Sequence, residues 1–329
     1  MIPILKLHNF EPQTAAILDE VVEGLKQTPK YLSAKFNYDE RGARLYEKLC
    51  QTKDYYLTRT ELGIMYQNIQ QIVAHLSEEI LMIEYGSGNS KKTRLLFDHL
   101  PNLVGYIPID ISKKQLIETV TKIAQDYPDM EVLPVCADYT QSFELPTPSQ
   151  KFTRRLIYYP GSTIGNIHPQ EAILFLKQMR QYCQRGDALL IGVDLEKEPS
   201  ILKQAYDDRD GITQQFNLIN PLERLNREYG MDFVIPQYQH HIVYNEPNSS
   251  IEIYLKSLCD QTVQINGETI HFTAGELIER AVAYKYNLKL FQKLIEQAGW
   301  QTERVWTDDK QWFSIHCLIA AEQFWIDQR

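Results

Sequence analysis

A chain of 329 residues, 43% of them hydrophobic, is long for one compact domain and comfortable for one large domain plus one small, with enough apolar residues to build a real core. Its net charge of −9, with no Lys/Arg run longer than two residues, disfavours a nucleic-acid partner, because surfaces that grip a phosphate backbone are basic. Five scattered cysteines without any C-x-x-C read as reduced thiols and speak against a disulfide framework or a zinc site.

The opening MIPILKLHNF lacks the charged-then-apolar profile of a signal peptide, and no apolar run approaches the roughly 20 residues that span a bilayer. The expectation is a cytoplasmic protein with no membrane partner. The middle of the chain then alternates short apolar runs with amphipathic stretches, the pattern of a parallel sheet with crossover helices. Strands are predicted at 80–85, 104–110, 132–136, 155–159 and 188–193, and helices at 90–100, 112–127 and 169–185. Pro169 suits a first helical turn, where its missing N–H has no partner to lose.

After Asp194 the rhythm breaks. Residues 197–280 read as a helical piece followed by alternating strands at 239–244 and 250–258, and Asn266-Gly267 between two alternating runs predicts a hairpin. A helix over 281–298 leads to strands at 302–307 and 312–321, joined by an Asp-Asp-Lys turn, which must pair antiparallel. Five alternating units closed by an antiparallel hairpin give the α/β, Rossmann-like sheet of a class I methyltransferase. The expected organisation is one domain from 61–196 and 281–329, which binds the cofactor, and a smaller α+β substrate-binding domain from 1–60 and 197–280. This self-contained arrangement does not require a dimer, so a monomer is expected.

Glu84-Tyr85-Gly86-Ser87-Gly88-Asn89-Ser90 follows the first strand and opens the first helix. Gly86 and Gly88 permit a tight turn and close approach of a ligand, at the strand ends where open α/β sheets bind ligands. The third glycine of the dinucleotide fingerprint is absent, Lys91 standing there and Lys92 after it, which counts against an oxidoreductase that must cradle a pyrophosphate. Asp110 ends the second strand, where a carboxylate accepts from both ribose hydroxyls. Asp138-Tyr139 follows the third, where an acid receives the adenine amino group and an aromatic ring stacks. Gly86, Asp110 and Asp138 together form an adenosine-reading set.

Three further segments carry a resemblance: Tyr159-Pro160-Gly161-Ser162-Thr163-Ile164-Gly165-Asn166, Lys53-Asp54-Tyr55-Tyr56-Leu57-Thr58-Arg59-Thr60-Glu61, and Ala205-Tyr206-Asp207-Asp208. With the closing Trp306-Thr307-Asp308, they resemble the histidine-specific Nα-methyltransferase family of ergothioneine biosynthesis, from about residue 14 to the end. Fungal methyltransferases acting on prenylated tryptophan belong to the same wider group. The resemblance implies S-adenosylmethionine contacts at Tyr56, Gly86, Lys92, Asp110, Asp138 and Tyr139. It implies amino-acid contacts at Tyr38, Tyr56, Asn166 and Tyr206, with Tyr46 a weaker candidate.

The chemistry is coherent beside that resemblance. An amine must attack the sulfonium methyl in line, so the protein chiefly holds nitrogen, methyl and sulfur collinear. Asn166 and Tyr206 can donate to a carboxylate, and the Tyr38 phenolic oxygen can accept from the amine. No histidine is an evident base, so the proton can leave to solvent. For most of the 20 tyrosines burial with a satisfied hydroxyl is the better explanation, and motif context sets Tyr38, Tyr56 and Tyr206 apart.

The family reads the imidazole ring with a glutamate and a serine two residues apart. Aligning Tyr284-Lys285-Tyr286 with the family's Cys-Lys-Phe-like segment puts those positions on Ala281 and Ala283, and a packing methionine on Ile253. Losing both polar partners predicts a roomier, more apolar pocket, with histidine a poor substrate and tryptophan, tyrosine or phenylalanine, or a derivative, a better one. A shift of the alignment by a few residues brings Glu276 or Glu279 into play instead. Two other readings stay open: a histidine Nα-methyltransferase that reads the ring with different side chains, and a protein that binds S-adenosylmethionine without catalysis.

His240 and His241 are adjacent, so on a strand they point to opposite faces and cannot share a metal. His316 reads as a satisfied core residue. Asp207-Asp208-Arg209-Asp210-Gly211 has the wrong spacing for a calcium loop and reads as a solvated helix end. No metal is expected.

Overall fold

The computed structural model of the chain describes residues 6–76 and 78–321; the opening five residues, part of the segment read against a signal peptide, lie outside them. The chain divides into two compact units. The larger takes the chain up to residue 10, then 57–196 and 285 onward, and the smaller takes 11–56 and 197–284.

Among the described residues the larger unit holds a nine-stranded sheet. Its order is His8–Phe10, Val135–Ala137, Leu103–Asp110, Ile80–Tyr85, Arg154–Tyr159, Ala188–Asp194, Phe313–Ala320, Trp300–Thr307, with Glu131–Val132 pairing Leu103–Asp110 off this path. The strands up to Ala188–Asp194 run parallel, and the last two add antiparallel. Ile80–Tyr85 and Ala188–Asp194 are buried along their whole length, as strands covered on both faces must be, and so read as nearly continuous apolar runs apart from the buried Glu84 and the closing Asp194. Helices Lys91–Phe97, Lys113–Asp126 and Pro169–Gln181 make the crossovers. Ile80–Tyr85 has Leu103–Asp110 on one side and Arg154–Tyr159 on the other. Chain order therefore reverses at that strand, opening a crevice at its carboxyl end.

Several expectations need correction here. The strand expected at 132–136 is split, because Pro134 has no N–H for the ladder; Leu133 N donates to Tyr106 O, and Pro134 O accepts from His8 N. That bond sits beside the parallel pairing of His8–Phe10 with Val135–Ala137, so residues 8–10 join the large sheet rather than the smaller domain. Residues 281–284, read as the start of a helix, form the end of strand Leu277–Tyr284 in the smaller unit. Alanine favours helix intrinsically, but pairing with Ser250–Ser257 along the whole strand prevails. The helix begins at Leu288, where Asn287 caps it by accepting from Leu290 N at 3.0 Å.

In the smaller unit a four-stranded sheet runs Lys30–Tyr31, Leu277–Tyr284, Ser250–Ser257, Tyr238–Asn245. The hairpin Gln261–Ile265/Glu268–Phe272 turns at Asn266 and Gly267, both at positive φ, as a type I′ turn requires. Val21, Leu25, Phe36, Leu222, Leu255 and Ile278 contribute to its core. Asp208, expected at a solvated helix end, is instead buried, and its carboxylate accepts from Ile212 N and Thr213 N of the following helical segment. His316 is buried with Nε2 2.9 Å from Ser314 Oγ, but Nδ1 has no partner among the described residues, so it is half satisfied there. Burial lowers its pKa to about 3, leaving the ring neutral. No helix among the described residues is long and apolar enough to cross a membrane.

Candidate active site

At the carboxyl end of Ile80–Tyr85 the chain turns through Gly86 (φ +75°) and Gly88 (φ +49°). Gly86 N donates to Ile109 O at 2.9 Å, tying the turn to the neighbouring strand. The Asp110 carboxylate accepts from Gly88 N at 3.0 Å and from Ser112 N at 2.9 Å. Burial raises its pKa, against the pull of those backbone donors. These backbone bonds orient the Asp110 carboxylate beside the glycine turn. A Cβ on Gly86 would sit 4.0 Å from Tyr139 Cε1, so the Tyr139 ring flanks the glycine turn. That ring also packs with Tyr85, Tyr159 and Phe175, at centroid distances of 5.8, 6.3 and 5.9 Å. Asp138 Oδ1 accepts from Thr140 N and Oγ1. Glycine turn, carboxylate and aromatic wall thus meet at the carboxyl ends of neighbouring strands, a fit for an adenosine-bearing cofactor.

Lys92 lies one layer further in, with Nζ 2.5 Å from Glu61 Oε2. The Glu61 carboxylate is buried and accepts from Gly161 N at 2.9 and 3.1 Å. A Cβ at Gly192 would approach Glu61 Oε1 to 2.3 Å, so the carboxylate fills the space that a side chain there would need. Glu61 stands in a segment that the sequence singles out, yet sequence reasoning misses its role; the signal is a carboxylate at a buried position on an otherwise apolar helix face. Glu84 is also buried, accepting from Thr93 Oγ1 at 2.8 and 2.9 Å and from the Tyr106 hydroxyl. Burial pushes its pKa up to about 8 despite these donors.

The turn after Arg154–Tyr159 is shaped by Gly161 (φ +79°) and Ser162 (φ +57°). Ser162 Oγ accepts from Asp194 N at 2.8 Å, and Thr163 Oγ1 donates to Pro160 O at 2.9 Å. Asn166 ends the short helical turn Thr163–Asn166 and is exposed. Asp194 in turn holds Lys285 Nζ at 2.8 Å, both side chains buried.

In the smaller unit three of the expected tyrosines, Tyr38, Tyr46 and Tyr206, gather around Tyr55 and Phe216. Tyr38 packs edge-on against Phe216 (5.5 Å) and Tyr46 (6.4 Å), Tyr46 against Tyr55 (6.3 Å), and Tyr55 against Tyr206 (6.2 Å). Burial, reinforced by Tyr46 and Tyr206, drives the Tyr55 hydroxyl well above the ordinary tyrosine value, so it is neutral. Tyr56 is fully buried; Lys197 Nζ donates to its hydroxyl at 2.7 Å and lies 4.5 Å from its ring centre. Phe216 escapes sequence reasoning because it lies in a π-helical turn, Gln215–Ile219. Such turns occur often at functional sites but have no local sequence signature.

Ala281 is paired with Ile253, and Ala283 with Ile251. A register shift leaves Arg280 as the extra residue, after which Glu279 opposes Tyr254. Paired residues share a sheet face, so Ala281, Ala283 and Ile253 lie together on an apolar face while Glu279 shares the other with Glu252. Glu276 is engaged elsewhere, 2.9 Å from Lys30.

Sheet order and cofactor edge define the class, a Rossmann-like S-adenosylmethionine-dependent methyltransferase. The model of the S-adenosylmethionine-dependent, histidine-specific methyltransferases matches residues 17–320, and the chain belongs to that family. It is similar to a histidine N-alpha-methyltransferase of Mycobacterium tuberculosis, 34% identical over 306 residues, covering 91% of this chain and 94% of that one. A protein of the same name from Mycolicibacterium smegmatis is 33% identical over 324 residues, covering 96% and 99%. An N-methyltransferase of Aspergillus flavus is 23% identical over 330 residues, covering 96% and 92%.

Proposed function

We propose that this enzyme methylates the α-amino nitrogen of a free amino acid whose side chain is aromatic rather than imidazole. The observation that carries the acceptor side chain is the apolar face formed by Ala281, Ala283 and Ile253, with Glu279 on the opposite face. Alanines at 281 and 283 offer an imidazole neither a carboxylate nor a hydroxyl of their own, and the space beside their short side chains suits a larger apolar ring, which gains from burial. Relatives named histidine N-alpha-methyltransferases support the α-amino nitrogen as the atom methylated.

The cofactor, when bound, supplies a methyl on a sulfonium sulfur; the N–CH₃ bond forms as the S–CH₃ bond breaks. Gly86, Gly88, Asp110, Asp138 and Tyr139 hold the adenosine portion in this proposal, and Lys92, Tyr56 and the Gly161 turn complete the cofactor contacts. Tyr38 accepts a hydrogen bond from the amine, directing its lone pair, while Asn166 and Tyr206 each donate to the carboxylate. Tyr46 lines the acceptor pocket. Their work is positioning, and the amine proton leaves to solvent. The smaller unit is the substrate-binding domain in this reading, and the enzyme a cytoplasmic monomer, which cell fractionation and sedimentation test.

S-adenosylhomocysteine release, measured with each standard amino acid and followed by mass spectrometry of the product, tests the proposal. Turnover of tryptophan, tyrosine or phenylalanine with little of histidine supports it. Preference for histidine overturns the acceptor assignment and keeps the reaction. Silence across the panel with cofactor binding intact overturns the free-amino-acid assignment.

A further inference from the structure

His240 lies on strand Tyr238–Asn245 opposite Leu255, and the same register sets Ile242 against Ile253 and Tyr244 against Ile251. Opposed residues of antiparallel strands project to one side. His240 therefore shares the sheet face of Ile253, Ala281 and Ala283. Helix Pro199–Tyr206 packs on this strand and the next, and Asp207, directly after Tyr206, places Oδ1 3.8 Å from His240 Nδ1.

The His240 side chain is 3% exposed, and its Nε2 has no hydrogen-bond partner among the described residues. A buried polar atom left unpaired is unfavourable, so an apolar residue would serve a purely structural role better. The carboxylate beside Nδ1 favours the tautomer that carries its proton there, which leaves Nε2 with a lone pair. Burial lowers the pKa of the ring, against the opposite pull of Asp207 and Asp208 and together with repulsion from His241, so the ring stays neutral. The face that carries the two alanines thus also carries an imidazole hydrogen-bond acceptor.

We propose that His240 Nε2 accepts a hydrogen bond from the edge of the bound aromatic side chain, making the enzyme selective for rings that bear a donor, a phenol O–H or an indole N–H, over phenylalanine. The inference rests on the aromatic-acceptor reading above and deepens it. A site built to bond a substrate O–H or N–H rejects the analogue lacking it, because the protein group is then left unpaired.

The experiment measures kcat/KM for tyrosine, tryptophan, phenylalanine and histidine with the full chain and with His240→Leu and His240→Gln, with S-adenosylhomocysteine binding followed by calorimetry. The ratio of tyrosine or tryptophan to phenylalanine is independent of the fraction folded. The unaltered enzyme is expected to prefer a donor-bearing ring by roughly tenfold. His240→Leu is expected to bring that ratio close to one, chiefly by losing the donor-bearing substrate. His240→Gln, whose amide oxygen reaches about as far as Nε2, is expected to restore part of it, and remains the test if the leucine variant fails to fold. Equal use of phenylalanine by the unaltered enzyme, or an unchanged ratio in His240→Leu, would make His240 a core residue and overturn the inference while aromatic turnover stands. Turnover of histidine alone overturns the aromatic reading and this inference with it.

Discussion

Arg280 donates through Nη2 to Oδ1 of Asn37, the residue directly before Tyr38. The same guanidinium, buried at the strand bulge beside Ala281, donates to the carbonyls of Leu32, Ser33 (2.8 Å) and Asn217 (3.3 Å). Asn217 lies in the π-helical turn Gln215–Ile219, and an α-helical partner for its carbonyl at residue 221 is excluded because proline has no N–H. On the other side of Tyr38, Asp39 Oδ1 accepts from Gly42 N at 2.8 Å and Asn220 Nδ2 at 2.9 Å. One buried cation thus ties together strand Leu277–Tyr284, the Tyr38 segment and the π-turn that carries Phe216.

All four acceptors of Arg280 are neutral, and burial lowers its pKa only to about 10, so it is charged at neutral pH. Arg280→Met would leave three carbonyls and an amide oxygen buried without their donor. The expected loss of stability is about 3 kcal/mol or more, read from urea unfolding followed by circular dichroism. Arg280→Lys should recover part of it. A loss below about 1 kcal/mol would mean that these carbonyls find other donors and that the network does not hold Tyr38.

Restoring the family's polar pair tests the acceptor pocket from the other direction. Ala281→Glu with Ala283→Ser puts a carboxylate and a hydroxyl on the face shared with Ile253. Relative kcat/KM for histidine over an aromatic amino acid should rise at least tenfold, the equivalent of a charged hydrogen bond of about 1.5–3 kcal/mol. Unchanged preference would show that the acceptor side chain lies elsewhere.

Asn166 separates function from stability. Its side chain is exposed at the end of the turn that Ser162 anchors on Asp194, so Asn166→Ala should change stability by no more than about 0.5 kcal/mol. Loss of a charge-assisted bond to the substrate carboxylate should cut kcat/KM by roughly tenfold or more for every acceptor tested. An unaltered kcat/KM would remove Asn166 from the acceptor site.

The features legible in the amino-acid sequence are those that a local pattern encodes. The apolar run over 80–83, the Gly86-Ser87-Gly88 turn behind it and Asp110 at the next strand end together specify the cofactor edge, because parallel strands are buried throughout and their carboxyl ends converge. The features that are not legible depend on partners distant in the chain. Ala281 to Tyr284 looks helical until Ser250–Ser257 lies alongside it. Arg280 looks like a solvated charge until Asn37 and Asn217, more than 60 residues away, surround it. Phe216 joins the tyrosine cluster only because a π-turn rotates it there.

Glu84 carries the clearest dependence on pH. It is the next-to-last residue of the strand that leads into Gly86, is 1% exposed, and has its pKa pushed from 4.5 to about 8 by burial. Between those values the unfolded chain releases the proton and the folded chain keeps it, so the unfolded state binds fewer protons and stability falls as pH rises. The contribution of Glu84 is therefore complete below about pH 4.5 and is lost as pH passes through about 8. Glu84→Gln keeps an acceptor for Thr93 and Tyr106 but does not titrate. Melting temperatures of the two proteins, compared from about pH 5 to about pH 9, should diverge steadily, with the unaltered chain losing ground by roughly 5–10 °C, on the order of a few kcal/mol. Groups that titrate in both proteins cancel in the difference. Parallel curves across that range would mean that Glu84 is already ionised in the fold, held as a carboxylate by the Tyr106 and Thr93 hydroxyls and nearby Lys92.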